Sequence, residues 1–311
     1  MRVLVIGTGA IGSFYGSLLA LSGAIVSVVA RSDYEEIKAH GINIKSESKL
    51  GSYCFRPQAI YKTAAEVPEK PDYVLICTKM IEGVDPVALV KGAVGPETSL
   101  VLIANGIEVE KDIAKSYPEN ELISGLAFVC VTRTSPGHIW HQDYGRLVLG
   151  RYPIGLSKKV QNICDKISAA GIECQAHDNI LAVRWEKCVW NAPFNPLSVL
   201  SGGLKINDIL ATEEPLIRGL MKEVCDVAST HGFVLPSNLI NSHIDYSRDM
   251  KPYKTSMLVD YEAGRPMETE IILGNIVRAG QRKGCSTPLL DTLYAVMKLR
   301  ELCLTQGKKI P

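Results

Sequence analysis

The chain has 311 residues, 34 of them Lys or Arg and 33 Asp or Glu, for a formal charge of +1 with 22% charged and 46% hydrophobic residues. That length suits two ordinary domains with a sizeable core. The near-neutral balance argues against a nucleic-acid binder, a polybasic membrane-surface protein and a disordered acidic chain.

Residues 2–6 are a β-branched run that stops at Gly7, and residues 10–21 carry apolar side chains at helical spacing, which reads as strand, turn, helix. Between Arg2 and Arg31, 28 consecutive residues contain no Asp, Glu, Lys or Arg. A signal peptide or membrane anchor needs roughly 20 apolar residues. Here Gly7, Gly9, Gly12, Gly16 and Gly23, with Ser and Thr between them, break the stretch into short pieces. A buried strand and helix in a cytoplasmic chain explain the gap better than a membrane span.

Further apolar runs at 24–30, 72–77 and 99–103 are followed by polar turns and helix-like stretches such as 85–91 and 108–116. Fully apolar strands alternating with helices imply a parallel sheet covered on both faces. Residues 42–60 change to polar alternation with Gly51 and Pro57, which predicts a strand pair inserted into or edging that sheet. Residues 122–131 and 146–149 read as strands separated by the turn signal Ser135-Pro136-Gly137. From residue 178 helix signals take over, at 179–189, 213–231, 256–264, 267–284 and 288–306. The expected fold is α/β, an N-terminal Rossmann-type doubly wound parallel sheet over 1–177 with a C-terminal all-helical domain over 178–311. A ligand site in the cleft between two such halves is the default expectation.

Nine cysteines without a CxxC pair read as reduced, mostly buried thiols. His138 and His141 are the one close histidine pair, and without nearby Cys or carboxylate ligands they do not make a metal site.

The first strand ends in Gly7-Thr8-Gly9-Ala10-Ile11-Gly12, with Gly16 one turn later. A lone G-x-G-x-x-G is a weak signal, but this one follows a strand and opens a helix. Gly7 serves the tight turn, Gly9 lets backbone approach a diphosphate and Gly12 allows close helix packing, with the diphosphate at the helix N-terminus. Sites that take NAD usually end the second strand in an acidic residue that bonds the ribose 2′-hydroxyl. Here that strand ends in Arg31-Ser32, and a guanidinium with a hydroxyl suits a 2′-phosphate, so NADP(H) is expected. Asp33 is expected to cap the helix that starts at Tyr34.

Lys79 and Asn105-Gly106 follow apolar strands, where a parallel sheet presents its ligand face, and both are candidates for reaching the cofactor. In the helical half, residues 184–196 form the densest polar cluster in an apolar frame. Lys187, Asn191 and Asn195 are four apart and fall about 40° apart around a helix, so they share one face. An ammonium and two amides on one stripe suit a small oxygenated substrate. A solvated stripe is the bland alternative, opposed by the tryptophan neighbours and by the poor helix propensity of asparagine. Pro193 lies inside the stripe and is expected to kink it.

Taken together, these residues resemble the 2-dehydropantoate 2-reductases, or ketopantoate reductases, over nearly the whole chain. The likeness rests on Gly7 to Gly12 with Gly16, Arg31-Ser32, Cys77-Thr78-Lys79, Asn105-Gly106, Pro136-Gly137-His138, the segment 145–150, Lys187-x-x-x-Asn191-x-x-x-Asn195-Pro196-Leu197, Ser256-Met257-x-x-Asp260, Gly264-Arg265-Pro266 and Glu268. The resemblance implies NADPH-dependent reduction of 2-dehydropantoate to (R)-pantoate, toward pantothenate and coenzyme A. It makes Lys187 the general acid, sets Asn191 and Asn195 on the substrate hydroxyl and Ser256 on its carboxylate. Asn105 would serve the nicotinamide ribose and the substrate side, Lys79 the cofactor near the reacting centre, and Glu268 would bond cofactor or substrate and orient the catalytic groups. Ungapped spacing from Ser256 selects Glu268 for that role, whereas a two-residue slip selects Glu270. Ala104 stands where the family often has Gln.

Two other enzyme readings fit the same plan: a reductase of another branched 2-oxo acid, and a β-hydroxyacid or opine-type dehydrogenase. A non-catalytic NADP(H)-sensing regulator is the reading from another class, but it leaves the Lys-Asn-Asn stripe without a purpose. The Tyr-x-x-x-Lys pairs of a short-chain dehydrogenase occur only as Tyr34/Lys38 and Tyr294/Lys298, at ordinary helix-surface spacing. A homodimer is compatible with the sequence, which does not fix the oligomeric state.

Overall fold

A computed structural model describes residues 1–251 and 253–307. They form two compact units, one of Met1–Lys79, Val84–Ala104 and Glu110–Leu181, the other of Met80–Gly83, Asn105–Val109 and the chain from Ala182 onward.

In the first unit the chain runs β1 (Arg2–Ile6), α1 (Ala10–Leu21), β2 (Ile25–Val29), α2 (Tyr34–His40), β3 (Ile42–Ser46), β4 (Tyr53–Phe55), β5 (Ile60–Tyr61), β6 (Tyr73–Ile76), α3 (Pro86–Val90), β7 (Ser99–Ile103), α4 (Lys111–Ser116), β8 (Leu122–Ser135), β9 (His138–Arg151), α5 (Lys158–Ala169) and β10 (Cys174–Ala176). They build a 10-stranded sheet in the order β4-β3-β9-β8-β7-β6-β1-β2-β5, with β10 paired to β9. From β8 through β5 every neighbour is parallel. β6 and β7 are buried at every position, and β1 at every position but its first, as strands covered on both faces must be.

β8 and β9 pair antiparallel because only two residues, Pro136 and Gly137, join them, too few for a crossover. Gly137 takes φ +69° there, a conformation that glycine adopts at no steric cost. β3 does not continue the parallel set beside β2. Instead β5 takes that place and β3 crosses to pair with β9, carrying β4 to the far edge. The expected edge pair is thus β3 and β4.

Several elements lie outside the expected ones, among them β5, α5, β10 and the helix Leu239–Asp249 of the second unit. α5 is mostly polar, yet Val160, Ile163, Cys164 and Ile167 recur at helical spacing and are buried, and Ser157 caps the helix by accepting from Val160 N at 3.1 Å. β10 is only three residues long, below what periodicity can detect. The helix expected from residue 108 starts instead at Lys111, because Glu108 takes φ +61°.

The second unit holds α6 (Ile180–Leu200, begun in the first unit), α7 (Ile206–Thr230), α8 (Leu239–Asp249), α9 (Ser256–Glu262), a π-helical turn at Glu270–Gly274, α10 (Asn275–Arg282) and α11 (Pro288–Thr305). α6 runs on as one helix through Pro193 and Pro196. α7 breaks at Glu213 (φ −133°, ψ 41°), two residues before Pro215, whose ring and missing N–H disrupt the preceding turn. Its buried face is Ile217, Leu220, Met221, Val224, Val227 and Ala228, the i, i+3, i+4 stripe of an amphipathic helix. Among the described residues, no helix is long and apolar enough to cross a membrane.

Candidate active site

The glycine turn of the first unit is set by packing at two positions and left open at a third. Gly7 has φ +98°, and a Cβ there would lie 2.9 Å from Thr78 Cγ2. A Cβ on Gly12 would lie 2.1 Å from the Gly7 carbonyl oxygen. Gly9 has φ −73°, which any residue adopts, and a Cβ there would meet nothing within 4 Å. The space beside Gly9 is what a diphosphate needs. The N–H groups of the first α1 turn end there, and that turn carries no acidic residue to repel an anion. Thr8 is buried, and Ala10 and Ile11 are half-buried.

At the end of β2, Arg31 is exposed, and among the described residues its side chain has no ion pair or hydrogen bond. Asp33 precedes α2 but forms no side-chain cap, contrary to expectation. Its carboxylate is 2% exposed and turns inward, where Oδ1 accepts from Arg133 Nη2 at 2.5 Å and from Ser32 Oγ at 2.7 Å. The Ser32 proton is therefore committed to Asp33, and Arg31 is the cation that this corner offers a phosphate. These residues fit a phosphorylated dinucleotide. Lys79, exposed, follows β6, and burial pushes the nearby Cys77 thiol up to about 12.

In the second unit the residues of segment 105–109 are fastened from several directions. Gly106 has φ +80°, and a Cβ there would fall 2.3 Å from the Ile271 carbonyl oxygen, so only glycine fits. Arg184, 1% exposed on α6, donates to the Gly106 carbonyl at 3.1 Å. Asn275 donates to the Ile107 carbonyl at 2.7 Å, and Arg282 pairs with Glu108 at 2.5 Å.

Asn105, thus held, links two candidate catalytic groups. Lys187 Nζ donates to its Oδ1 at 3.0 Å, and its Nδ2 donates to Glu268 Oε2 at 3.1 Å. Glu268 Oε1 accepts from the Met80 backbone N–H at 3.2 Å. Further along α6, Asn191 is 5% exposed and Asn195 2% exposed, so the stripe is no solvated face. Ser198 donates to the Asn195 carbonyl at 2.8 Å and lies 2.6 Å from the Thr255 hydroxyl. Thr255 caps α9 by accepting from Leu258 N at 3.1 Å, which leaves Ser256 exposed as the first residue of that helix.

The two neighbouring glutamates have different surroundings. Glu270 is bound by Lys298 at 2.8 Å, Tyr294 at 2.8 Å and Arg278 at 2.9 Å. Burial raises its pKa, but Lys298, Tyr294 and Arg278 outweigh it and hold the carboxyl below its usual range. The Tyr294/Lys298 pair is thereby engaged in this network. His141 lies in the core of the first unit, bonded to Ser46 at 2.8 Å and to the Tyr144 carbonyl at 2.9 Å, while His138 bonds the Pro136 carbonyl.

Chemically, the second unit offers a half-buried ammonium oriented by an amide that a carboxylate in turn orients. Such a cation can stabilise an oxygen that gains negative charge and deliver the proton that quenches it. Two contributors escaped the sequence reading. Arg184 stood within the polar cluster without a role, although a charged residue one turn before Lys187 in an apolar frame signals a buried partner. The Met80 N–H is backbone and leaves no sequence signal.

Models of the ketopantoate reductase PanE/ApbA family match residues 3–153, and of its C-terminal region residues 179–301. The chain is 34% identical over 304 residues to a 2-dehydropantoate 2-reductase of Nostoc sp., covering 96% of this chain and 94% of the relative. Its structure superposes with TM-score 0.94 on a 2-dehydropantoate 2-reductase from Methylococcus capsulatus, at 55% identity and 98% coverage of each chain. The fold is also that of a D-mandelate dehydrogenase solved with NADH and anilino(oxo)acetate, at TM-score 0.87 and 22% identity, covering 98% of this chain and 100% of the other. With matches to both halves and near-complete coverage, the chain belongs to the ketopantoate reductase family of NAD(P)-dependent reductases.

Proposed function

We propose that the protein reduces the ketone of 2-dehydropantoate to pantoate with NADPH. Residues 1–177 then form the cofactor-binding part and 178–311 the substrate and catalytic part. When bound, the reduced nicotinamide supplies the hydride. Gly7, Thr8, Gly9, Ala10, Ile11 and Gly12 hold the diphosphate, Arg31 the 2′-phosphate, and Lys79 the cofactor nearer its reacting end.

The observation that carries the reading is the chain of hydrogen bonds from Lys187 through Asn105 to Glu268, at 3.0 and 3.1 Å. Hydride addition turns a ketone oxygen into an alkoxide. Lys187 stabilises that charge and donates a proton to that oxygen, and Asn105 fixes its direction. Glu268, through Asn105, keeps the amide oxygen toward the lysine and the amide nitrogen toward itself. Asn191 and Asn195, buried polar groups on the same helical face, bind the substrate hydroxyl, and Ser256 its carboxylate. Glu268 fills the family glutamate position, because Glu270 is committed to Lys298, Tyr294 and Arg278.

Initial rates with NADPH and NADH across a panel of 2-oxo acids test this directly. 2-Dehydropantoate should give the highest kcat/KM, with NADPH preferred. Arg31→Ala should lower the NADPH-to-NADH ratio of kcat/KM by about tenfold or more, since a charge-assisted bond contributes about 1.5–3 kcal/mol. A different best substrate, or no turnover with tight NADPH binding, would replace this reading with a relative of it or with a sensor.

A further inference from the structure

The carboxylate two residues beyond Arg31 bears on cofactor choice. Asp33 occupies the stretch where NAD-binding folds carry the acid that bonds the ribose 2′-hydroxyl. A free carboxylate there would favour a ribose diol and oppose a phosphate dianion. In this chain it is 2% exposed, and its Oδ1 is bound by Arg133 Nη2 at 2.5 Å and by Ser32 Oγ at 2.7 Å. Its Oδ2 is buried without a hydrogen-bond partner and does not reach solvent. Arg133 comes from β8, 100 residues away in sequence, where the hairpin partner of its backbone is Ile139. The Arg133 side chain is 36% exposed and that of Asp33 2%, while Arg31, two residues before Asp33, is exposed.

A buried ion pair contributes little net stability, because desolvation offsets most of the attraction. Removing one partner, however, leaves an uncompensated charge that solvent screens poorly. We propose that Arg133 is a positioning residue for cofactor specificity: it neutralises Asp33 and holds it inward, so that the carboxylate neither bonds a ribose 2′-hydroxyl nor repels a 2′-phosphate at Arg31. The inference rests on the NADPH reading above and adds a residue that acts through Asp33. It also accounts for Ser32, whose hydroxyl helps hold the carboxylate inward.

The test is a double-mutant cycle read as the NADPH-to-NADH ratio of kcat/KM, with melting temperatures measured in parallel. Arg133→Met keeps side-chain bulk and removes the charge. It should lower the ratio by about tenfold or more through the NADPH arm, because it leaves an uncompensated negative charge close to where the 2′-phosphate binds, at an effective dielectric near 20. Adding Asp33→Asn to Arg133→Met should restore the ratio to within about threefold of wild type, and Arg133→Lys should keep most of it. Asp33→Asn alone leaves Arg133 uncompensated and should raise the ratio, which keeps the proposal testable if Arg133→Met does not fold. Equal losses with both cofactors alongside a lower melting temperature, no restoration in the double variant, or a lower ratio in Asp33→Asn would each reduce the pair to a structural tether. Failure of the NADPH reading shows separately, as a wild-type enzyme that prefers NADH or an Arg31→Ala variant with an unchanged ratio.

Discussion

The glycine turn of the first unit and the lysine corner of the second are built in different ways. The turn is made of backbone: Gly7 and Gly12 are fixed by neighbours that a Cβ would strike, and Gly9 keeps a space clear. All of it lies within six consecutive residues, so one short motif specifies it. The lysine corner is made of side chains from four separate stretches, around Met80, Asn105, Lys187 and Glu268, joined by hydrogen bonds of 3.0 to 3.2 Å. A backbone site tolerates changes of side chain and fails when a methyl group is added. A side-chain site fails when one group is removed.

The largest effect should come from breaking the second kind. Lys187→Ala removes the cation and, on the proposed mechanism, the proton donor, and kcat should fall by about 10² to 10⁴. NADPH affinity, read by fluorescence titration, should stay within about threefold of wild type, because the diphosphate corner is untouched. Near wild-type turnover in that variant would remove Lys187 from the chemistry. A parallel loss of NADPH binding would mean that the two sites are not separable as described.

The converse experiment adds one methyl group to the turn. Gly9→Ala places a Cβ where no protein atom lies within 4 Å, at a φ of −73° that alanine accepts. Stability should therefore change by no more than about 0.5 kcal/mol, while NADPH affinity falls by about tenfold or more because the methyl group occupies the space proposed for the diphosphate. Gly12→Ala is the control, since its Cβ would sit 2.1 Å from the Gly7 carbonyl oxygen and should destabilise the fold itself. A Gly9→Ala protein that binds NADPH normally would place the diphosphate elsewhere.

The same contrast explains what could be read in advance. The turn, the apolar strands β1, β6 and β7, and the Lys187-Asn191-Asn195 stripe are local patterns, and local patterns survive in sequence. The route of β3 to the far end of the sheet was not legible, because strand order depends on pairing between segments about 100 residues apart, as Asn43 with His138. Asp33 shows the limit at one residue. Its position before a helix predicts a cap, but its surroundings are decided by Arg133 on a distant hairpin. Arg184 carried a signal of burial in sequence but not the identity of its partner, the Gly106 carbonyl, and the Met80 N–H on Glu268 could not be inferred without the fold.

The smallest expected effect concerns the two glutamates that spacing alone did not separate. Glu268 lies in the hydrogen-bond chain to Lys187, whereas Glu270 opens the π-helical turn and ties together Arg278 on α10 with Tyr294 and Lys298 on α11. Burial opposes ionisation of Glu270, but its three partners prevail, so its folded pKa lies below the unfolded value. A depressed carboxyl contributes stability that is fully present above the unfolded pKa of about 4.3 and is lost as pH falls through the folded value. Glu270→Gln should therefore lower stability at pH 7 by about 1 kcal/mol, the scale of a partly exposed ion-pair network. The difference from wild type should shrink as the pH drops below about 4, and kcat at pH 7 should change by less than about threefold. Glu268→Gln should show the opposite profile, with little change in melting temperature and a fall in kcat, because its amide offers one acceptor oxygen for the two donors, Asn105 Nδ2 and the Met80 N–H, that the carboxylate serves, and so holds Asn105 less firmly toward Lys187. If the Glu270 variant loses turnover and the Glu268 variant does not, the two-residue slip is the correct register and the roles of the two carboxylates exchange.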